Sequence, residues 1–315
     1  MNILILSAGS RNKVLQYFKK ALEGEGRVYA ADCSNLAPAI YEVDDQVLIP
    51  RIDAENYISE VISVIKEKQI DKVLSLLDPE LSILSDHRKE LEEAGAELIL
   101  SDKKTIDTCF NKWDFFNYLK SQGVDTVTTY GDLASFKEAF ERKEISFPVF
   151  IKPRGGSASI GITKVSDMDA LEMFMNYDPN LIIQELCDGK EYGIDAYFDK
   201  SNELKDVFIK EKIKMRAGET DKSVSLHDEI ILERVKELAK IFNFYGPIDM
   251  DIFRVGDRTM VSEVNPRFGG GYPHAYESGV DFMKRICTEN QDGFTDYQDD
   301  IYMMKYNEVL IKRIR

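Results

Sequence analysis

Asp249-Met250-Asp251-Ile252 and Ser262-Glu263-Val264-Asn265-Pro266 fall within one stretch, 246–266, that reads as a β-hairpin, and Arg267 follows it directly. Side chains alternate between the two faces of a strand. Ile248, Met250 and Ile252 then share an apolar face with Met260 and Val264, while Asp249, Asp251 and Phe253 take the other. Glu263, Asn265 and Arg267 join that second face, so a row of oxygen ligands ends in a guanidinium. Mg²⁺ takes such hard donors and keeps positions open for phosphates. An arginine beside it can fork onto a phosphoryl group. Asp251 and Glu263 share a face only across an odd-length connection such as Gly256-Asp257-Arg258. A two-residue turn would separate them, because a one-residue slip reverses every side chain. The plain alternative is a surface hairpin with a solvated acidic face. Against it stand Gly269, Gly270 and Gly271, which suit close approach of backbone to a ligand.

Upstream, Val149-Phe150-Ile151-Lys152-Pro153-Arg154 leads into Gly155-Gly156-Ser157-Ala158-Ser159-Ile160-Gly161. This reads as a buried strand ending in a lysine, a loop of small residues, and a return strand. Backbone N–H groups in such a loop can wrap phosphate oxygens, because few side chains block the approach. It is not a P-loop, since Gly-Lys-Ser/Thr is absent and a strand follows; an ordinary glycine-rich hairpin loop is the other reading. Farther on, the apolar Leu181-Ile182-Ile183 passes through Gln184, Glu185, Leu186 and Cys187 to a strand that begins near Glu191. That connector offers backbone polar groups to an adenine edge and a carboxylate to ribose hydroxyls, a pattern of little specificity by itself.

The first hundred residues alternate strands, at 2–6, 27–31, 46–49, 72–76 and 96–100, with helices at 13–22, 55–68 and 79–93. Such alternation implies a parallel sheet covered on both faces. Ser7-Ala8-Gly9-Ser10 follows the first strand but lacks the further glycines of a dinucleotide fingerprint. It reads as an ordinary strand-to-helix turn or as a helix N-terminus holding an anion. Beyond residue 101 come helices at 103–110 and 112–122, a βαββ-like stretch at 127–184, and long strands at 191–198 and 204–215. Too little chain separates the long strands for a crossover, so they are antiparallel. A loop is expected at 217–225 and a helix at 227–242.

A chain of 315 residues can hold two or three domains. Its net charge of −15 argues against a nucleic-acid partner, though not against nucleotides. Cys33, Cys109, Cys187 and Cys287 are scattered, which suggests reduced thiols and a cytoplasmic location instead of disulfides or zinc. The apolar run Ile3-Leu4-Ile5-Leu6 is too short for a signal peptide, and no stretch approaches membrane-spanning length, so no membrane partner is expected. The basic segment 305–315 reads as a surface strand or helix closing the last domain.

In this order and spacing, the three segments resemble the ATP-grasp superfamily, above all single-module relatives of the carbamoyl phosphate synthetase large subunit. The resemblance covers nearly the whole chain. Residues 1–104 resemble the pre-ATP-grasp domain, with Asp78-Pro79-Glu80-Leu81 at a typical position. Residues 105–315 resemble the grasp module, with a small lid at about 123–186, and include Arg216-Ala217-Gly218-Glu219 and Phe268-Gly269-Gly270-Gly271-Tyr272-Pro273. The implied fold is α/β followed by α+β, a parallel-sheet domain and then two α+β lobes clamping ATP.

Carried over by position, the resemblance implies that Lys112 and Lys152 contact the α-phosphate and adenine side of ATP. The loop Gly155, Gly156, Ser157, Ala158, Ser159, Ile160 and Gly161 would close over the β- and γ-phosphates. Glu185, Leu186 and Cys187 would line the adenine pocket, with Glu191 on the ribose. Asp251, Glu263 and Asn265 would hold one or two Mg²⁺ or Mn²⁺ ions, although many relatives carry Gln or Glu where this chain has Asp251. Arg267 and Lys152 would be catalytic, Arg267 stabilising the transferring phosphoryl group.

The implied activity is ADP-forming ligation of a small-molecule carboxylate to an amine, with room for a homodimer. Lys210, Lys212 and Arg216 would meet the phosphates or the substrate, or else pair structurally; His274 is a weaker candidate for the substrate pocket, and His87 and His227 read as surface residues. The rivals are a subunit of a carbamoyl phosphate synthetase-like assembly, a non-catalytic ATP-binding regulatory module, and an NAD-dependent dehydrogenase suggested only by the N-terminal alternation.

Overall fold

A computed structural model describes residues 1–43, 45–156, 161–288 and 293–314. Strands β1 (Asn2–Leu6), β2 (Arg27–Asp32), β3 (Asp45–Leu48), β4 (Lys72–Ser75) and β5 (Glu97–Leu98) form a parallel sheet ordered β3-β2-β1-β4-β5. Helices α1 (Asn12–Leu22), α2 (Tyr57–Lys68), α3 (Asp78–Asp86) and α4 (Arg88–Glu93) cover it. The period of two in β1 sets the layers. Ile3 and Ile5 enter one core with Leu15 and Phe18 of α1, while Leu4 and Leu6 enter the other with Val61 of α2 and Leu84 of α3. The single helix expected at 79–93 breaks at His87 (φ −106°, ψ 15°). The break accompanies an anchor: Arg88 Nη2 donates to the carbonyls of Leu100 and Ser101, both at 2.7 Å.

Helices α5 (Lys103–Phe110) and α6 (Lys112–Ser121) start at side-chain caps, Asp102 and Asn111, which accept from backbone N–H groups. Next, β6 (Thr129–Tyr130), β7 (Val149–Pro153), β8 (Thr163–Val165) and β9 (Leu181–Glu185) make an antiparallel sheet ordered β6-β9-β7-β8, with α7 (Leu133–Glu141) and α8 (Met168–Tyr177). The third sheet is antiparallel and ordered β14-β13-β10-β11-β12-β15. It comprises β10 (Lys190–Phe198), β11 (Leu204–Arg216), β12 (Glu219–Ser225), β13 (Gly246–Val255), β14 (Arg258–Asn265) and β15 (Tyr302–Met304), with helices α9 (Glu229–Ile241), α10 (Pro273–Glu277) and α11 (Phe282–Thr288). Phe208, Phe268, Tyr272 and Phe282 join Phe18 and Ile5 in one core, which fuses the parallel sheet to this module. None of the helices among the described residues is long and apolar enough to cross a membrane.

The expected loop at 217–225 is instead strand β12. Ala217 (φ 51°) and Gly218 (φ 77°) form a two-residue turn between the paired Arg216 and Glu219, and positive φ at both positions is what a tight hairpin turn requires. The strand was hidden by its polar composition, which tertiary partners satisfy. The Ser225 hydroxyl, for instance, donates to the Gln298 carbonyl at 2.7 Å.

The hairpin of β13 and β14 also departs from expectation. Val255 pairs with Arg258, so the connection is the two-residue turn Gly256-Asp257. Asp251 nevertheless lies opposite Glu263, because the register shifts between Ile252↔Val261 and Asp251↔Glu263 and leaves Ser262 as an extra residue. A β-bulge therefore supplies the odd residue that the turn lacks. Its second consequence is that Val261, not Met260, joins Ile252 and Val264 in the core, while Met260 pairs with Phe253. The segment 125–127 covers the outer edge of β14 there: Thr126 Oγ1 and the Val127 N–H donate to the Val261 carbonyl at 2.7 and 3.2 Å.

His274 ties α10 to β12. Its Nε2 faces the Ile301 carbonyl at 3.0 Å and so carries the proton, leaving Nδ1 to accept from Ser223 Oγ at 2.8 Å. Burial, aided by Lys210, lowers its pKa to about 4. The unfolded chain then takes up the proton first, so stability is complete above about pH 6.5 and falls as pH drops toward 4. Urea unfolding should show wild type losing about 2 kcal/mol more than His274→Gln between pH 7 and pH 5. Parallel pH profiles for the two proteins would contradict the assignment.

Candidate active site

In the parallel sheet, β1 and β4 are neighbours whose following connections leave in opposite directions, and ligands of such sheets bind outside the carboxyl ends of the strands at that point. The segments after them, Ser7–Arg11 and Leu76–Asp78, open onto a cleft of about 740 Å³. Its other walls are Lys152 of β7, Gln184 to Cys187 at the end of β9, Glu191 of β10, Lys212 of β11, and the polar face of β13 and β14. The alternation of those two strands, corrected by the bulge, aims Asp249, Asp251, Glu263 and Asn265 into the cleft together with Ser262.

Arg267 is held where the sheets meet. Its Nη2 donates to Asp78 Oδ2 at 2.9 Å, and its Nη1 donates to Asp249 Oδ2 at 3.3 Å and to the Phe268 carbonyl at 3.0 Å. Burial works against its charge, but Asp78 and Asp249 together override that and raise its pKa. Of five guanidinium hydrogens, three are occupied, and the buried Nε–H has no partner among the described residues. Fewer donors therefore remain free than on an unpaired guanidinium fork.

Lys212 Nζ lies 2.5 Å from Asp251 Oδ1 and 2.9 Å from Glu191 Oε1. Burial alone would depress this ammonium, but Asp251, Glu191 and Asp249 outweigh it and raise its pKa. Asp251 itself is pushed up to about 7, chiefly by burial and only partly offset by Lys212. Glu263 is less engaged: Lys112 Nζ stands 3.9 Å from it. The same Lys112 Nζ donates to the Gly156 carbonyl at 2.5 Å, and its N–H donates to the Arg154 carbonyl at 2.7 Å. Gly156 shares a small pocket with Asp78, Glu263 and Asn265, so the start of the glycine loop lies beside the carboxylates. Lys152 is buried, and its pKa falls to about 8 because burial, with Lys112 adding to it, exceeds the attraction of Glu263.

At the other end, the Glu185 N–H donates to the Thr128 carbonyl at 2.9 Å, which fixes the connector. Burial pushes the Cys187 thiol up to about 12, so it stays protonated and is no nucleophile.

The fold thus brings Lys152, Glu185, Leu186, Cys187, Glu191, Asp251, Glu263, Asn265 and Arg267 to one cleft, with Lys112 and Gly156 at its margin. Gly155 packs toward the Phe110 ring, and Gly161 lies beside Pro153. Ser157, Ala158, Ser159 and Ile160 lie outside the described residues. Lys210 forms a buried ion pair with Asp195, Arg216 pairs through Nη2 with Asp221 at 2.8 Å and through Nη1 with Asn307 at 3.2 Å, and neither lines the cleft. His274 does not line the cleft.

Sequence reasoning missed Asp78 and Asp249 as the partners of Arg267, and Arg11 and Glu219, which pair at 2.9 Å on the cleft wall. The alternation could have flagged Asp249, two residues from Asp251. The dehydrogenase rival finds no support in the Gly9 turn, whose N–H donates to Asp32 Oδ2 at 2.8 Å. Among the described residues, no three His, Cys, Asp or Glu side chains form a metal-holding group, so any cation here would rely on the Asn265 amide as well as carboxylates.

The sequence matches the PylC-like N-terminal domain over residues 3–99 and the ATP-grasp domain over residues 109–271. A D-alanine–D-alanine ligase from Rhodococcus erythropolis is 26% identical over 197 residues, 53% of this chain and 53% of that protein. The arginine-specific large chain of carbamoyl phosphate synthase from Bacillus subtilis is 22% identical over 241 residues, 72% of this chain and 23% of that one. The chain therefore spans about half the length of the first of these relatives and under a quarter of the second. The crystal structure of N5-carboxyaminoimidazole synthetase from Staphylococcus aureus complexed with ADP superposes with a TM-score of 0.78 at 16% identity, covering 97% of this chain and 82% of that one. With its grasp module matched from Cys109 to Gly271 and its fold shared, the chain belongs to the ATP-grasp family.

Proposed function

We propose that this protein is an ATP-dependent, ADP-forming ligase that joins a small-molecule carboxylate to an amine. The observation that carries the reading is the convergence, in one cleft, of Lys152, the Glu263–Asn265 face and a guanidinium pinned by two carboxylates. Phosphoryl transfer to a carboxylate brings two anions together, so charge neutralisation and in-line positioning do most of the catalysis. In the first step a carboxylate oxygen attacks the γ-phosphorus; the P–O bond to ADP breaks and an acyl phosphate forms. In the second, the amine attacks the acyl carbon, the C–N bond forms, phosphate departs with the C–O bond pair, and the amine gives up a proton.

Within this reading, the connector Glu185–Leu186–Cys187 takes the adenine, Glu191 the ribose, and Lys112 and Lys152 the phosphates beneath the loop 155–161. Arg267 offers its remaining donors to the transferring phosphoryl group. One or two Mg²⁺ or Mn²⁺ ions fit the donor set, because Glu263 and Asn265 present hard oxygens on one face and, among the described residues, Glu263 has no direct ion pair closer than Lys112 at 3.9 Å. Asp251 would be the third ligand, in exchange for its contact with Lys212. A cation bound there would neutralise phosphate charge. We take residues 1–104 as the pre-ATP-grasp domain, 105–315 as the grasp module with a lid at about 123–186, and the cytoplasm as the site of action.

An ADP-release screen of carboxylates crossed with amines should find a pair that drives turnover. Glu263→Ala should lower that rate about 10²- to 10³-fold. If no carboxylate stimulates ADP formation, the protein is not a ligase.

The Lys152 ammonium is present below about pH 8 and lost above it. Affinity for metal-free ADP, followed by calorimetry, should therefore weaken between pH 7 and pH 9, and Lys152→Arg should flatten the profile. A pH profile and affinity that Lys152→Met leaves unchanged would remove Lys152 from the phosphate site.

A further inference from the structure

The site as described accounts for ATP but leaves the wall formed by Arg11, Glu219 and Gly270 without a role. Arg11 Nη1 lies 2.9 Å from Glu219 Oε1; that nitrogen is buried and makes no hydrogen bond among the described residues, while the two side chains as a whole keep 22% and 36% exposure and line the cleft. Gly270 lies flat against the pair: a Cβ there would come 2.6 Å from Arg11 Nη1 and 2.8 Å from Glu219 Cδ. Helix α1 begins at Arg11 with no side-chain cap and no acidic residue in its first turn, which adds positive potential beside the guanidinium. Lys305 Nζ, in the segment after β15, holds Glu219 from the other side at 2.8 Å.

The charges here balance. Arg11 feels Glu219, Arg267, Asp249 and Asp78, and Glu219 feels Arg11, Lys305 and Arg267. Three cations thus face three carboxylates. A dianion such as a phosphate monoester would meet Glu219, Asp78 and Asp249 at close range, and a simple amine would meet the three cations. A neutral ligand with separated charges meets neither penalty, and it can replace the Arg11–Glu219 contact with two of its own.

We propose that Arg11 and Glu219 bind the two charged ends of a zwitterionic amino acid, the carboxylate on Arg11 and the ammonium on Glu219, and that this amino acid is one of the ligase's substrates. The assignment rests on the ligase reading above and narrows its substrate class.

The test is calorimetry and thermal shift of the full chain saturated with Mg²⁺ and the non-hydrolysable analogue AMP-PNP. The ligands are a panel of L- and D-amino acids, their methyl esters and N-acetyl derivatives, amines without a carboxylate, and phosphorylated amines. At least one free amino acid should bind, and its ester and N-acetyl forms should bind about tenfold or more weakly. Arg11→Met should weaken that amino acid about 100-fold, Arg11→Lys less so, since it keeps charge without the fork. The AMP-PNP shift of each variant reports that it is folded. Binding by phosphorylated amines or plain amines but by no amino acid overturns the proposal while leaving the ligase reading intact. So does an amino acid whose affinity Arg11→Met leaves unchanged. Failure of wild type to bind AMP-PNP overturns both.

Discussion

Arg267 sits between Asp78, at the first turn of a helix on the parallel sheet, and Asp249, on a central strand of the antiparallel sheet. A guanidinium this buried is tolerable only when carboxylates and carbonyls take up its hydrogens. Asp249 comes from the neighbouring strand of the same hairpin, but Asp78 lies 189 residues away, so the charge is fully satisfied only after the two halves of the molecule have docked. The shared core of Phe18, Phe268 and Phe282 drives that docking, and the ion pairs fix its orientation. The cleft is the space left beside this junction.

Around the junction, the long strands carry their cations inward in ion pairs. Lys210 and Asp195 are both buried at the middle of the sheet, and Lys212 spans Asp251 and Glu191. Such pairs contribute little net stability compared with apolar packing, but removing one partner leaves a costly buried charge. They hold the polar side chains that line the cleft in fixed positions. A charged ligand entering the cleft would meet a field already arranged and need little reorganisation of it.

The bulge at Ser262 performs a related task by geometry. A regular hairpin on the turn Gly256-Asp257 would place Met250 opposite Glu263 and send that carboxylate toward the core. One extra residue restores the facing of Asp251 and Glu263 while keeping a tight turn, and it leaves the Val261 carbonyl free to hold the chain leading to the small sheet. A local irregularity thus sets both the facing of the carboxylates and the anchor of the segment 125–127.

Much of this was legible from the chain alone. The alternation of apolar runs predicts the strands of the parallel sheet, as at Asn2–Leu6, and a period of two puts Asp249 with Asp251 and Glu263 with Asn265, although only the bulge brings the two pairs to one face. These are short-range patterns, set by the bond geometry of neighbouring residues, so sequence determines them. The bulge leaves no periodic trace, and the strand Glu219–Ser225 hides because its polar side chains find partners only in the folded molecule. The contact of Arg267 with Asp78, 189 residues away, and that of Arg11 with Glu219 depend on how separately formed sheets dock. That docking is decided by the summed burial of many apolar side chains, which no single stretch of sequence encodes.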